Sequence, residues 1–273
     1  MLKRVLMCRP DYFGVFDRYN AHMNKSLKKS RGINPVNREV AISQWLNLTS
    51  ALSLAGLELN FIEPQEGLPD MVFTANAGLI FGNQIILSNF FPEKRREEVR
   101  FFTAWFKDHG YFYRTLPAGM FFEGCGDILF LGDELIGGYG FRSDELGVRT
   151  AAEMIEKEPV LLKLIDEQYY HLDTCFCPAR DDLILFHPRA FDYESRKKID
   201  NLPAELIDVS SYDARRFVCN AVPIYKNGWR LITTPMSKKL KTRLEKRGIE
   251  IIETNLSEFL KSGGAARCLT LFI

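Results

Sequence analysis

The feature that most constrains this chain is a repeated order of elements. Four tight hairpins can be read: VFTANAGLIF-GN-QIILS, DILFL-GD-ELIGGY, TCFCPA-RDD-LILFH and NAVPIY-KNG-WRLITT. Each joins two short apolar runs through the Gly, Asn and Asp residues that close antiparallel turns. Between them lie amphipathic helix patterns. The first takes Asn34 as its N-cap, carries Ala41, Trp45, Leu48 and Leu52 on one face, and stops at Gly56. The second starts near Pro92, the third at Ser143 or Asp144, the fourth runs from Asp192 to about Asn201, and the fifth starts at Ser237. Each helix is followed by one more short apolar run: LELNFIEP, YFYRTLP, VLLKLID, AELIDVS or IEIIETN.

Helix starts recur roughly every 45 to 55 residues, a period suited to repeats or propeller arrays. The last run, Cys268-Leu269-Thr270-Leu271-Phe272-Ile273, is apolar and is expected to be a buried strand entered through Gly263 and Gly264. Paired near Val5-Leu6-Met7-Cys8, it would close a ring. The pattern predicts an α/β fold of one domain over residues 1–273, with five strand–strand–helix–strand units around a central axis. An ordinary α/β sheet with antiparallel edges is the alternative that the pattern leaves open.

Charge balance restricts the partners. The chain has 36 basic and 35 acidic residues, without the basic excess of a nucleic-acid-binding protein. Lys25 to Arg31 reads as a solvated loop, and Lys238 to Arg247 as the outer face of a helix. No run approaches the ~18 apolar residues of a membrane span, and the N-terminus does not read as a signal peptide. The six cysteines are scattered, as in a cytoplasmic protein with reduced thiols. Cys175 and Cys177 form a CxC without a second Cys pair or His cluster, so no metal site is expected.

Polar residues interrupt the apolar runs at matching places. Asp70 to Gly78 opens the first hairpin. Glu123 and Asp127 flank the glycines of FEGCGD before the second. His171 and Asp173, two apart, precede the third and would share one face of a strand. Cys219-Asn220-Ala221-Val222 begins the fourth. Each has a structural explanation as a turn residue or a satisfied core group. Their recurrence at one point of the repeat is what suggests a shared centre. Buried carboxylates require a compensating cation. A guanidinium fits, because its N–H fork matches carboxylates bidentately. Its resonance-stabilised carbon needs a strong nucleophile such as the Cys268 thiolate, with His171 as acid and base.

PDMVFTANAG, FEGCGD, HLDT, CNAV and GGAARC, in that order, resemble the guanidino-group-modifying enzymes of the pentein α/β-propeller fold. The likeness covers essentially the whole chain and is nearest to the arginine dihydrolase and dimethylargininase-like group. The resemblance implies Cys268 as nucleophile, His171 as general acid and base, and Glu123 as a catalytic carboxylate. It implies substrate contacts from Asn76, Asp127, Arg142, Asp173 and Asn20, with Arg142 gripping a substrate carboxylate and either Lys94 or Arg95 assisting. Tyr19-Asn20-Ala21-His22-Met23 departs from the family's usual Asn-Pro-Trp-Met and makes His22 a further candidate.

The expected activity is attack on the guanidinium carbon of arginine or a close analogue through a covalent thiouronium, giving ornithine or citrulline. Dimethylarginine hydrolysis and amidino transfer are the alternatives within the superfamily, and a non-catalytic pentein binding protein is the alternative of another class. The expected partner is a small guanidino molecule, with no cofactor, nucleic acid or membrane. Homo-oligomerisation is left open.

Overall fold

The computed structural model describes residues 3–273. Five three-stranded sheets share one topology. In the first, β3 (Gly78–Phe81) and β4 (Gln84–Leu87) form an antiparallel hairpin, and β5 (Phe112–Thr115) returns parallel to β4 after helix α3 (Glu98–Asp108). The next three repeat this order: β6 (Ile128–Leu131), β7 (Glu134–Tyr139), α4 (Glu145–Glu153) and β8 (Pro159–Lys163); β9 (Phe176–Arg180), β10 (Leu183–Phe186), α5 (Tyr193–Asp200) and β11 (Glu205–Asp208); and β12 (Val222–Tyr225), β13 (Trp229–Thr233), α7 (Lys238–Glu245) and β14 (Ile249–Glu253), with α6 (Ser211–Ala214) in the connection before β12.

The fifth unit joins the two ends of the chain. β15 (Leu271–Phe272) pairs antiparallel with β1 (Arg4–Cys8), with Val5 opposite Phe272 and Leu6 opposite Leu271. β1 pairs in parallel with β2 (Glu58–Ile62), which follows helix α2 (Arg38–Leu54). This is the pentein propeller, and the ring closes where the terminal run was expected to pair.

The helices form where their apolar faces demand. On α2, Ala41, Trp45, Leu48 and Leu52 are buried, in the i, i+4, i+7, i+11 order of one helical face. They pack with Val5 and Met7 of β1. Leu48 and Leu52 each contribute roughly 1.5–3 kcal/mol by leaving water. Gly56, at φ +98°, ends the element in a conformation that glycine adopts without cost.

Three local expectations are corrected. First, α2 begins at Arg38 and is capped by Asn37, whose Oδ1 accepts from Val40 N at 3.1 Å. Asn34 instead accepts from Val15 N and Val36 N and braces the preceding loop. Second, part of the basic stretch from Lys25 to Arg31 belongs to a helix, α1 (Ala21–Lys29), whose Met23 and Leu27 are buried. Its apolar face is only two residues deep, too little to show as periodicity. Third, Cys268 is not in a strand. It lies in a turn closed by Leu269 N to Ala265 O (3.2 Å) and Thr270 N to Arg267 O (3.0 Å), and β15 begins three residues later. No helix of the described residues is long and apolar enough to cross a membrane.

Candidate active site

β3, β6, β9, β12 and β15 each lie at one edge of their sheet and touch one another or the turns that precede their neighbours. The polar residues sit in those turns. Asn76 lies in the 3-10 turn Thr74–Ala77 before β3, and Glu123 and Asp127 flank the turn Gly124–Gly126 before β6. His171 and Asp173 belong to the turn Leu172–Thr174 before β9, Asn220 precedes β12, and Cys268 precedes β15. Tight turns suit these positions because they aim side chains at the axis while using up backbone donors. His171 and Asp173 therefore meet through a 3-10 turn rather than through one face of a strand.

Small residues let the turns approach. Gly124 has φ +60°, and a Cβ there would lie 2.7 Å from the backbone of Gly78. At Gly126 a Cβ would stand 2.5 Å from Asn76 Nδ2 and 3.2 Å from His171 Nδ1. The two glycines of FEGCGD thus hold three of the turns in contact. Cys125, between them, is buried and packs in the apolar core.

Glu123 has no exposed surface, and its oxygens are fully engaged. Oε1 accepts from Phe91 N (3.1 Å), while Oε2 accepts from Arg142 Nη1 (2.8 Å) and lies 2.8 Å from His171 Nε2. Burial opposes ionisation, but Arg142 and the His171 contact outweigh it and hold the carboxyl at about 2. Asp127 is equally committed: Oδ1 accepts from Leu172 N (3.0 Å) and Oδ2 from Ser143 Oγ (2.6 Å). Ser143 Oγ also accepts from Glu123 N (3.0 Å). Asp127 therefore ties the Glu123 and His171 turns together instead of offering an oxygen to a ligand, which revises the expected substrate contact. Arg142 stacks over Tyr170, with 4.7 Å from its guanidinium carbon to the ring centroid, and its Nε is buried without a partner.

The opposite side of the site is unsaturated. Cys268 Sγ donates to Asp173 Oδ2 at 3.3 Å and accepts from Asn220 Nδ2 at 3.0 Å. Burial first, and the neighbouring carboxylate second, push the thiol well above its ordinary range. Burial also raises the Asp173 carboxyl to about 6. Asp173 Oδ1, Asn76 Nδ2, His171 Nδ1 and Asp70 Oδ1 are all buried without a partner. Ala75 N donates to Cys268 O at 3.1 Å, which sets Asn76 beside the sulfur turn. Asn76 Oδ1 accepts from Arg95 Nη1 (3.1 Å). A guanidinium can only donate, so the amide N–H₂ of Asn76 must face away from Arg95. Orphaned buried polar groups are costly and rare, so this cluster marks a place built for a ligand.

Arg95 is also held by Glu98 through two hydrogen bonds, at 2.9 and 3.0 Å, and donates to Asp70 O. With Asp70, it lines a cavity of about 570 Å³ that Tyr19 and Lys94 also border. Lys94 points outward and pairs with Asp17, so Arg95 is the member of that pair that reaches the site. Asn20 caps α1 through Oδ1 to Met23 N and donates from Nδ2 to Ser262 O at 2.9 Å. Tyr170 Oη donates to Gly263 O at 2.9 Å. These two bonds brace the glycine loop that leads to Cys268, so Asn20 positions that loop rather than standing free for a substrate. His22 lies behind the same loop, 2.8 Å from Gln168 O and edge-on to Phe217.

The site therefore brings together Cys268, His171, Glu123, Asp173, Asn76, Asp127 and Arg142. Sequence reasoning left Arg95 unresolved against Lys94, and it did not single out Asp70, Asn220 or Ser143. Asp70 and Asn220 lie in the polar segments that open the first and fourth hairpins, which was their only signal. Nothing in GYGFRS distinguishes Ser143 from a helix cap.

Residues 9–273 match the family described as N,N dimethylarginine dimethylhydrolase, eukaryotic, and the chain belongs to that family. It is 41% identical over 98% of its length to the bifunctional arginine dihydrolase/ornithine cyclodeaminase ArgZ of Synechocystis, and that match spans 37% of the relative. The chain thus covers little more than a third of the first curated relatives it matches. An N(G),N(G)-dimethylarginine dimethylaminohydrolase of Mycobacterium tuberculosis is 34% identical, over 99% of this chain and 86% of the relative. The solved N-terminal domain of ArgZ bound to product superposes with a TM-score of 0.93 at 40% identity, covering all of this chain and 97% of that one.

Proposed function

We propose that this chain is a cysteine hydrolase that attacks the guanidinium carbon of arginine and carries the product on to ornithine. The observation that carries this reading is the unsaturated arc around Cys268: a free carboxylate oxygen on Asp173 and a free amide N–H₂ on Asn76 beside one buried sulfur. The names of the similar proteins support it, since ArgZ is an arginine dihydrolase.

The guanidinium pairs with Asp173 Oδ1. At the other end of the substrate, Asp70 Oδ1 takes the α-ammonium, and Arg95 with Arg142 Nε takes the α-carboxylate. At rest the thiol is protonated and hydrogen-bonded to Asp173. The arriving cation neutralises that carboxylate and favours the thiolate, and the thiol proton passes to His171. Sulfur attacks the carbon, a C–N bond breaks, and His171 protonates the nitrogen that leaves as ammonia. His171 then takes a proton from water, hydroxide adds to the thiouronium carbon, and the C–S bond breaks to give citrulline. Glu123 orients His171 throughout, through the 2.8 Å contact of Oε2 with Nε2.

Asn76 permits a second round. A carboxylate at that position would repel a neutral ureido oxygen, whereas the free Asn76 N–H₂ donates to it. Renewed attack by sulfur, with His171 protonating the departing δ-nitrogen, expels ornithine and leaves a carbamoyl group on the sulfur; water deprotonated by His171 then adds, the C–S bond breaks, and carbamate leaves and breaks down to ammonia and carbon dioxide. Arginine, dimethylarginine and agmatine incubated side by side, with products read by mass spectrometry, test the reading. Ornithine from arginine is expected, and agmatine, which lacks the carboxylate, should be a poor substrate. Arginine that stops at citrulline overturns the second round. Preferred release of dimethylamine from dimethylarginine would favour the reading that the family match suggests.

A further inference from the structure

Asn220 is completely buried and uses every hydrogen-bonding capacity of its side chain. Oδ1 accepts from Ala265 N (2.9 Å) and Cys268 N (3.1 Å). Nδ2 donates to Asp173 O (3.1 Å) and to Cys268 Sγ (3.0 Å). An amide has two donors and two acceptor lone pairs, so nothing is left over. Its orientation is not interchangeable either, because a flipped amide would set N–H₂ against two backbone N–H groups. The backbone joins in: Asn220 O accepts from Arg267 N (3.1 Å), and Asn220 N donates to Phe217 O (2.9 Å).

We infer that Asn220 is the positioning residue of the nucleophile: it fixes the Cys268 turn through two backbone amides and supplies the hydrogen bond that holds the sulfur as thiolate. This rests on the reading of Cys268 as nucleophile. The two partners of the sulfur have opposite character. Asp173 can only accept from it while it is a thiol, and loses that bond when the proton leaves. Asn220 can only donate to it, and that bond strengthens when the sulfur becomes an anion. The charged and titratable groups around the pair are Asp173, Tyr170 from the neighbouring turn, and Arg267, His171 and Asp127, which act on Asp173. None of these is a donor to the sulfur; the Ala265 backbone N–H, itself held by Asn220 Oδ1, also favours the thiolate, so Asn220 is the side-chain donor. Asn220 also spans three turns, before β9, β12 and β15, so one side chain sets the distance between the sulfur and the carboxylate that receives the guanidinium.

Asn220→Asp removes donation while keeping the anchor, and Asn220→Ser, which adds no charge, is scored beside it, so that a shift caused by the new carboxylate alone is told apart from loss of the donor. Asn220→Asp keeps an acceptor for Ala265 N and Cys268 N but removes the donor to sulfur and adds negative charge. Alkylation by saturating 2-chloroacetamidine, scored by mass spectrometry of the Cys268 peptide across about pH 6 to 10, reads the thiolate in the complex, where the cationic amidine neutralises Asp173 and brings the thiol back down from the high value that burial gives it. The variant should react about tenfold more slowly near neutrality, with the inflection moved up by about one pH unit. In turnover, kcat should fall with little change in KM. An inflection that stays in place, whether or not the rate falls, overturns the role, because a purely structural asparagine would lower the amount of competent enzyme without moving the curve. If the aspartate variant fails to fold by circular dichroism, Asn220→Ser, with a shorter and weaker donor, carries the test on the same curve. Absence of labelling at Cys268 in the unaltered protein, or turnover retained by Cys268→Ala, overturns the proposed function itself and not the role of Asn220.

Discussion

The two sides of the site differ in how far their polar groups are satisfied. Around Glu123 and Asp127 every carboxylate oxygen has a partner: Phe91 N, Arg142, His171, Ser143 and Leu172 N. Around Asp173 and Asn76 one oxygen and one amide nitrogen have none. Both sides are buried, so solvent does not explain the contrast. The saturated side is a rigid frame that holds the histidine. The unsaturated side carries an electrostatic deficit that the proposed substrate cation would remove. On the proposed function, preorganisation and substrate recognition fall to different turns of one ring.

The contrast can be broken most severely at the sulfur. Cys268→Ala should lower turnover by at least about a thousandfold while the fold remains, since only one buried sulfur atom is removed; circular dichroism with a rate assay checks both. Glu123→Gln attacks the saturated side. It leaves Arg142 without its buried counter-charge and His171 without its orienting carboxylate. Activity should fall about a hundredfold or more, and stability by about 3–5 kcal/mol, read as a lowered denaturation midpoint. If stability is unchanged, the frame is not a frame.

The unsaturated side should respond in specificity instead. Asn76→Asp should confine arginine turnover to citrulline and leave the denaturation midpoint near that of the unaltered protein, as product analysis and melting will show. A further test is pH. The Asp173 carboxyl titrates at about 6, above its unfolded value. Protonation therefore stabilises the empty fold, and that contribution is lost as pH rises through about 6. Binding of the guanidinium needs the ionised form, so kcat/KM should fall about tenfold per unit on the acid side of that value. A flat profile there would remove Asp173 from substrate recognition. The smallest effect is expected from Ser143→Ala, which removes one link between Asp127 and Glu123 and should cost about 1 kcal/mol of stability, with a few-fold loss of rate.

The outer shell of the propeller was legible because it obeys local rules. The apolar spacing of α2, the Asp144, Asp192 and Ser237 caps and the hairpin turns each state their geometry within a few residues. The α1 helix was not legible, because its stability comes from contacts such as Asn20 to Ser262 O and Ser26 Oγ to Lys261 O, more than two hundred residues away in sequence. The pairing of Arg95 with Asn76 was hidden for the same reason: two adjacent cations, Lys94 and Arg95, look alike until one is buried and the other is not.

By itself, the amino-acid order determined the recurring strand–strand–helix–strand pattern and the apolar last run that could close a ring, and it set out the residue types that a guanidinium reaction needs. Local periodicity and turn chemistry carry the first two, short of excluding an ordinary α/β sheet, and the third is composition at recurring positions. Only the tertiary structure decided which of those groups are spent on one another and which are left for a ligand. That division depends on hydrogen-bond partners contributed by separate turns. Asp127 and Asp173 are both buried acids beside an inner strand, and nothing in their sequence surroundings says that one is saturated by Ser143 and Leu172 while the other keeps a free oxygen beside Cys268.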